Sequence, residues 1–171
     1  TVALHLALKA LDIQENDEII VPTLTYIASV NAIKYVGAKP IFIDSEISTW
    51  NIDPLKIEEK ITSKTKAILI VHLYGAMCNI GKIKEICNKH NLYLIEDSAE
   101  AFGSQYEGFK SGTFGDISTF SFFGNKTITT GEGGMVFSKD KKKIDRVSFL
   151  KNQAVSPKKE YWHEEVGYNY R

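Results

Sequence analysis

Lys126 stands in SFFGNKTITTGEGG (residues 121–134), where a strand-forming run gives way to small residues, hydroxyls and glycines, with no further charge until Glu132. A lysine amine acts as a nucleophile only when neutral, and an uncharged Gly-Asn-Lys-Thr setting favours that state. A second candidate is Asp97, which closes the apolar run LYLIED. A strand-end aspartate, a lysine in a glycine-rich loop, hydroxyls and a helix N-terminus together form the set that pyridoxal phosphate requires. The amine forms a Schiff base with the aldehyde, and the carboxylate keeps the pyridine nitrogen protonated so that the ring accepts electrons. Backbone N–H groups hold the phosphate. Each part also has an ordinary reading: a strand-end Asp caps a turn, and a loop lysine is commonly a solvated charge.

The elements that must carry these residues are legible in the apolar pattern. EIIVP, KPIFID, KAILIVH and LYLIED alternate with amphipathic stretches, one through Ala38, then DPLKIEEKI, then IGKIKEICNKH. This is β–α alternation, and the strands are nearly continuous in apolar residues, as when helices cover both faces of a parallel sheet. The pattern predicts an α/β three-layer domain. The opening residues VALHLALKAL read as helix, Asp53-Pro54 as the start of another, and Lys139 to Lys151 as a third, after the strands DISTFSFF and GGMVFS. No repeat, low-complexity tract or linker divides the chain. In such sheets ligands sit beyond the carboxyl ends of the strands. The residues there, Thr23 to Tyr26, His72 and Tyr74, Glu96 and Asp97, and Gly124 to Lys126, are candidates for one site.

Composition narrows the classes. The 171 residues are 43% hydrophobic and carry 21 basic and 21 acidic side chains, so no net field favours nucleic acid or an anionic membrane. The basic run Lys139 to Lys143 reads as a solvated helix start. Cys78 and Cys87 fit neither a redox pair nor a zinc knuckle, the four histidines are scattered, and no metal is expected. No apolar run approaches the roughly 20 residues of a bilayer span, and a cytoplasmic location is the expectation.

The phrases VPTLTYIASVNAI, IVHLYG, LIEDSAEAFGS, GDISTFSFFGNKTITTGEGGMV and GYNYR, in that order, resemble the DegT-type nucleotide-sugar aminotransferases over almost the whole chain. The resemblance implies a large domain of the aspartate-aminotransferase type (fold type I, α/β/α, mostly parallel) with pyridoxal 5'-phosphate as cofactor. It makes Lys126 the Schiff-base lysine and proton carrier, Asp97 the partner of the pyridinium nitrogen, and Glu100 a polar residue near the ring hydroxyl, where many relatives have Gln. Tyr26 corresponds to the aromatic that stacks on the ring, its ordinary reading being a core tyrosine. Ser121, Thr1 and Val2 correspond to the phosphate site; a strand serine bonding its neighbours is the plain alternative for Ser121. Asn169 and Arg171 fall in a phrase that reaches toward a partner's cofactor across a dimer interface.

The same resemblance implies amino transfer, from L-glutamate, to a keto-deoxysugar nucleotide in cell-surface polysaccharide biosynthesis. The lysine phrase is most similar to the perosamine-synthase branch, which aminates GDP-4-keto-6-deoxymannose. Residues 1–171 are expected to be the cofactor-binding large domain of a longer homodimeric enzyme, with an N-terminal segment and a C-terminal small domain outside it. A sugar-dehydratase relative would carry histidine in place of Lys126. A non-catalytic, regulatory relative would have no reason to keep Lys126, Asp97 and Ser121 together. A nicotinamide-binding reading fails because GEGG leads into a strand instead of following one.

Overall fold

The computed structural model describes residues 1–170. Helix α1 (Val2–Ala10) precedes β1 (Glu18–Pro22), α2 (Ile27–Tyr35) and β2 (Lys39–Ile43). Then come β3 (Thr65–Val71), α3 (Ile80–His90) and β4 (Tyr93–Asp97). A short hairpin, β5 (Gln105–Tyr106) and β6 (Phe109–Lys110), leads to β7 (Ile117–Ser121), β8 (Gly134–Phe137) and α4 (Lys141–Lys151). The main sheet runs β2-β1-β3-β4-β7-β8, parallel except for β8, which returns antiparallel beside β7.

Alternation along the strands divides the core into two layers. Ile19, Val21, Ala67, Leu69, Val71, Ile95 and Ile117 pack on α1, α2 and α4 through residues such as Leu4, Leu8, Ile33 and Leu150. Ile20, Ile68, Ile70 and Leu94 face the other way, against Ile80, Ile83 and Cys87 of α3. Each isoleucine so enclosed contributes roughly 1.5–3 kcal/mol. The expected three-layer α/β/α arrangement is the one observed.

Three features differ from the sequence reading. The segment after Asn51 forms two single 3-10 turns, Pro54–Lys56 and Glu58–Lys60, instead of a helix. Asp53 caps the first by accepting from Leu55 N at 3.0 Å, and the fully buried Ile57 ties the break between the turns into the core. The last helix starts at Lys141, because Asp140 caps it through Lys142 N at 2.9 Å. The β5–β6 hairpin has too few residues to give a periodic signal. Past α4, Tyr168 packs edge-on against the buried ring of His5, 4.7 Å between centroids, and Tyr170 stacks on Tyr168. No described helix is long and apolar enough to cross a membrane.

Candidate active site

Strand β4 ends on Glu96 and Asp97, and the pleat sends their side chains to opposite faces. Asp97 is buried; its Oδ2 accepts from Ser29 Oγ of α2 at 2.9 Å and its Oδ1 from Ala99 N at 3.1 Å. Ser29 is itself buried and within 3.1 Å of Thr25 Oγ1, so the β1–α2 connection supports the carboxylate. Burial pushes the Asp97 carboxyl above its ordinary value, opposed by the Ser29 and Ala99 hydrogen bonds and by the nearby charge of Lys126.

Lys126 lies in the loop joining β7 to β8. Phe122 N bonds Gly133 O at 3.0 Å, and Phe122 O accepts from Thr130 N at 3.0 Å and from Thr129 Oγ1 at 3.0 Å. Gly133 has φ 153°, and a Cβ there would lie 2.6 Å from Thr130 Oγ1, so the TTGEGG phrase serves loop closure. The Lys126 side chain is 17% exposed and its Nζ lies 3.5 Å from Glu100 Oε1. The expected uncharged setting is therefore corrected: a carboxylate from the loop after β4 reaches the amine, a contact invisible in the local phrase.

The other sequence candidates fall as follows. Thr1 precedes α1, whose first turn has no acidic residue and whose earliest backbone N–H groups have no intrahelical acceptor, a geometry suited to an anion. Ala3 in the first turn of α1 lies 3.5 Å from where a Cβ on Gly134 would stand, and Gly134 pairs with Ser121, which puts Thr1 and Val2 at the same end of the sheet as Ser121. Ser121 closes β7 and accepts from Phe123 N at 3.4 Å, the neighbour contact of its plain reading, leaving its O–H to donate. Tyr26 is 74% exposed, which removes the core-tyrosine reading. Asn169 is exposed and bridges Asn152; no hydrogen bond joins it to Asp97, Glu100 or Lys126 among the described residues. Arg171 lies outside the described residues.

Glu96 and His72 do not converge on this site. The enclosed Glu96 carboxylate accepts from Gly112 N (2.9 Å), Phe114 N (2.8 Å), Gly115 N (2.6 Å), Ser118 Oγ (3.2 Å) and His72 Nε2 (3.1 Å). His72 Nδ1 accepts from Cys78 N, which puts the proton of a neutral ring on Nε2. Burial pushes the Glu96 carboxyl up, but the His72, Gly115 and Gly112 hydrogen bonds outweigh it, and the net shift is downward. A lowered carboxyl stabilises the fold above its ordinary value, and that contribution is lost as pH falls through the folded one. Glu96→Ala is expected to cost on the order of 3–5 kcal/mol in urea unfolding at neutral pH, with a smaller deficit in acid. An unchanged midpoint would contradict the role of this network as the pin holding residues 112–115 to β4.

A hollow of about 620 Å³ lined by Lys66, Lys84, Cys87 and Asp116 opens at the amino ends of the strands, away from Asp97. Asp116 is committed there to Leu94 N at 2.8 Å, and burial pushes the Cys87 thiol up to about 12, so neither offers reactive chemistry.

Comparison with known proteins bears on this geometry. The family model described as the DegT/DnrJ/EryC1/StrS aminotransferase family matches residues 1–171. The chain is 64% identical over 171 residues to the GDP-perosamine synthase of Escherichia coli O157:H7, covering 100% of this chain and 47% of that protein. An aminotransferase from Psychrobacter cryohalolentis superposes with a TM-score of 0.93 at 39% identity, over 99% of this chain and 46% of that one. Spr1654 of Streptococcus pneumoniae, solved in its PLP form, gives 0.91 at 32% identity, over 97% of this chain and 48% of that one. The chain thus spans about half the length of the curated relatives it matches. Its α/β/α sandwich is the fold type I arrangement anticipated from the sequence.

Proposed function

The chain belongs to the DegT/DnrJ/EryC1/StrS aminotransferase family, and from that premise we propose that it is the cofactor-binding large domain of a pyridoxal-phosphate-dependent sugar aminotransferase. The amino group passes from L-glutamate to the keto carbon of a nucleotide-linked deoxysugar, GDP-4-keto-6-deoxymannose in the first instance, for cell-surface polysaccharide biosynthesis. The observation that carries this reading is a buried Asp97 at the strand end whose following loop brings Glu100 to within 3.5 Å of Lys126 Nζ, at the end of the sheet where α1 starts.

The residues present fit pyridoxal phosphate. Among the described residues Asp97 accepts from two donors, Ser29 and Ala99, and has capacity for a third, which a ring N–H would fill. The neighbouring Ser98 hydroxyl is buried with no partner among the described residues, so polar capacity at this strand end is unused. Lys126 would hold the aldehyde end, Thr1, Val2 and Ser121 the phosphate, and the exposed face of Tyr26 the ring, with Glu100 at its polar edge. When bound, the cofactor supplies an electron sink for the carbon that loses or gains a proton. The protein supplies the rest. Asp97, held by Ser29 and Ala99, would present its negative charge to the ring nitrogen. Lys126 Nζ carries a proton to and from the reacting carbon.

The reading includes a cytoplasmic homodimer in which Asn169, with Arg171, serves the partner's site, consistent with its separation from the cluster in one chain. Family membership and the identity to the E. coli GDP-perosamine synthase support the GDP-sugar assignment. The test is to supply the chain, within its full-length polypeptide, with pyridoxal phosphate, L-glutamate and GDP-, dTDP- or UDP-linked 4-keto-6-deoxyhexoses, and to follow product by mass spectrometry. Preferred amination of the GDP-sugar with release of 2-oxoglutarate is expected. Preference for another nucleotide would overturn the substrate assignment, and no transfer to any would overturn the activity.

A further inference from the structure

We propose that Glu100 is a charge gate on Lys126, holding the amine as an ammonium until a carbonyl ligand arrives. The functional meaning of the gate rests on the aminotransferase reading; the gate itself rests on geometry. Glu100 is seated by an unusual turn. Residues 72–75 form a single turn in which Tyr74 has φ 51° and ψ 27°, and Gly75 follows at φ 85°. A non-glycine residue in the left-handed region is strained, and here the result is to aim Tyr74 N at Glu100 Oε2, at 2.8 Å. Gly75 lies close beneath, where a Cβ would stand 3.3 Å from Glu100 O, and Ser104 Oγ donates to Gly75 O at 2.9 Å. With one oxygen anchored this way, the other faces Lys126 Nζ at 3.5 Å.

The chemistry of position 100 decides what that contact does. A carboxylate oxygen only accepts, so it favours the ammonium, which has hydrogens to give and no lone pair. Glutamine at the same place would still accept from Tyr74 N through its carbonyl oxygen, and its N–H would then face Nζ, where it can donate only to a neutral amine. Glutamate and glutamine therefore favour opposite protonation states of Lys126 in nearly the same shape. To bond a carbonyl carbon, the ammonium must first pass a proton to Glu100 or to water. The freed lone pair then forms the C–N bond, and the carbonyl oxygen leaves as water. Capture of the ligand is thereby coupled to loss of a proton from the Glu100–Lys126 pair. Among the described residues, the other charged group acting on this point is Asp97 from β4.

Competitive labelling with trace acetic anhydride tests the gate without any cofactor. The neutral amine attacks the acyl carbon, acetate leaves, and the amine's proton goes to solvent. Peptide mapping reads the acetylation of Lys126 against the exposed Lys151 in the same molecule. Glu100→Gln is expected to raise Lys126 labelling about two- to five-fold at neutral pH, the range of a partly exposed ion pair. That gain should vanish at alkaline pH, where the amine is neutral in both proteins. No change, a decrease, or a gain of the same size at every pH would overturn the proposal, the last because simple loosening of the loop is independent of pH. A pH-dependent gain in a protein that forms no pyridoxal-phosphate adduct would uphold the gate and refute the cofactor reading.

Discussion

Lys126→Ala is expected to reduce amino transfer by on the order of 10³-fold or more, because in the proposed mechanism one side chain would both hold the cofactor's aldehyde end and carry the proton. The fold should survive. Lys126 stands on a loop closed by backbone and threonine hydrogen bonds of residues 122–133, none made by its side chain, whose hydrogen bond among the described residues is the 3.5 Å contact to Glu100. A partly exposed ion pair of this kind contributes about 0–1 kcal/mol. Steady-state transfer measured beside a thermal melt separates the two effects. Near-normal turnover would remove Lys126 from the mechanism, while collapse of the melt would make its role structural.

Asp97→Asn should remove most of the transfer activity with the cofactor still bound, since an amide cannot offer the ring nitrogen a negative charge. Its stability effect runs the other way. Burial raises the Asp97 carboxyl above its ordinary value, so its ionisation costs more in the folded chain than in the unfolded one. Asp97's contribution to stability is therefore fully present below the ordinary carboxylate value and is lost as pH rises through the folded one. The substituted amide carries no charge to bury, so the variant should lack this loss and match or exceed the parent's melting temperature at pH 7 in the absence of cofactor. Melts between pH 4 and pH 7 give the slope. A variant that is destabilised at pH 7 yet fully active would contradict both halves of the argument for Asp97.

The sheet was legible because both its faces are covered. A strand such as KAILIVH is apolar at every position from Ala67 to Val71, and that leaves a run no surface helix shares. The lysine loop and Asp97 were legible as phrases, since strand ends and glycine-rich loops are where such sheets place chemistry. What stayed hidden depends on approach across long stretches of chain. Ser29 meets Asp97 from 68 residues away, and a serine inside an apolar helix face is the only trace of it in IASVNAI. Glu100 meets Lys126 across 26 residues, so the amine's setting read as uncharged. Glu96 looked like a site residue from its position beside Asp97, but the alternation of a strand puts neighbours on opposite faces, and its carboxylate is consumed by residues 112–118 and His72. The role proposed for Asn169 belongs to an assembly of chains, which a single chain's hydrogen bonds do not report.

The central claim is that Lys126 is the residue that binds pyridoxal phosphate. Its most direct test is to mix the folded protein with pyridoxal phosphate, record the visible absorbance, reduce with borohydride and map the modified peptide by mass spectrometry. The account predicts a stoichiometric, reduction-stable adduct on Lys126 alone. Adducts scattered over surface lysines, or none, in a protein whose circular dichroism confirms its fold, would contradict it.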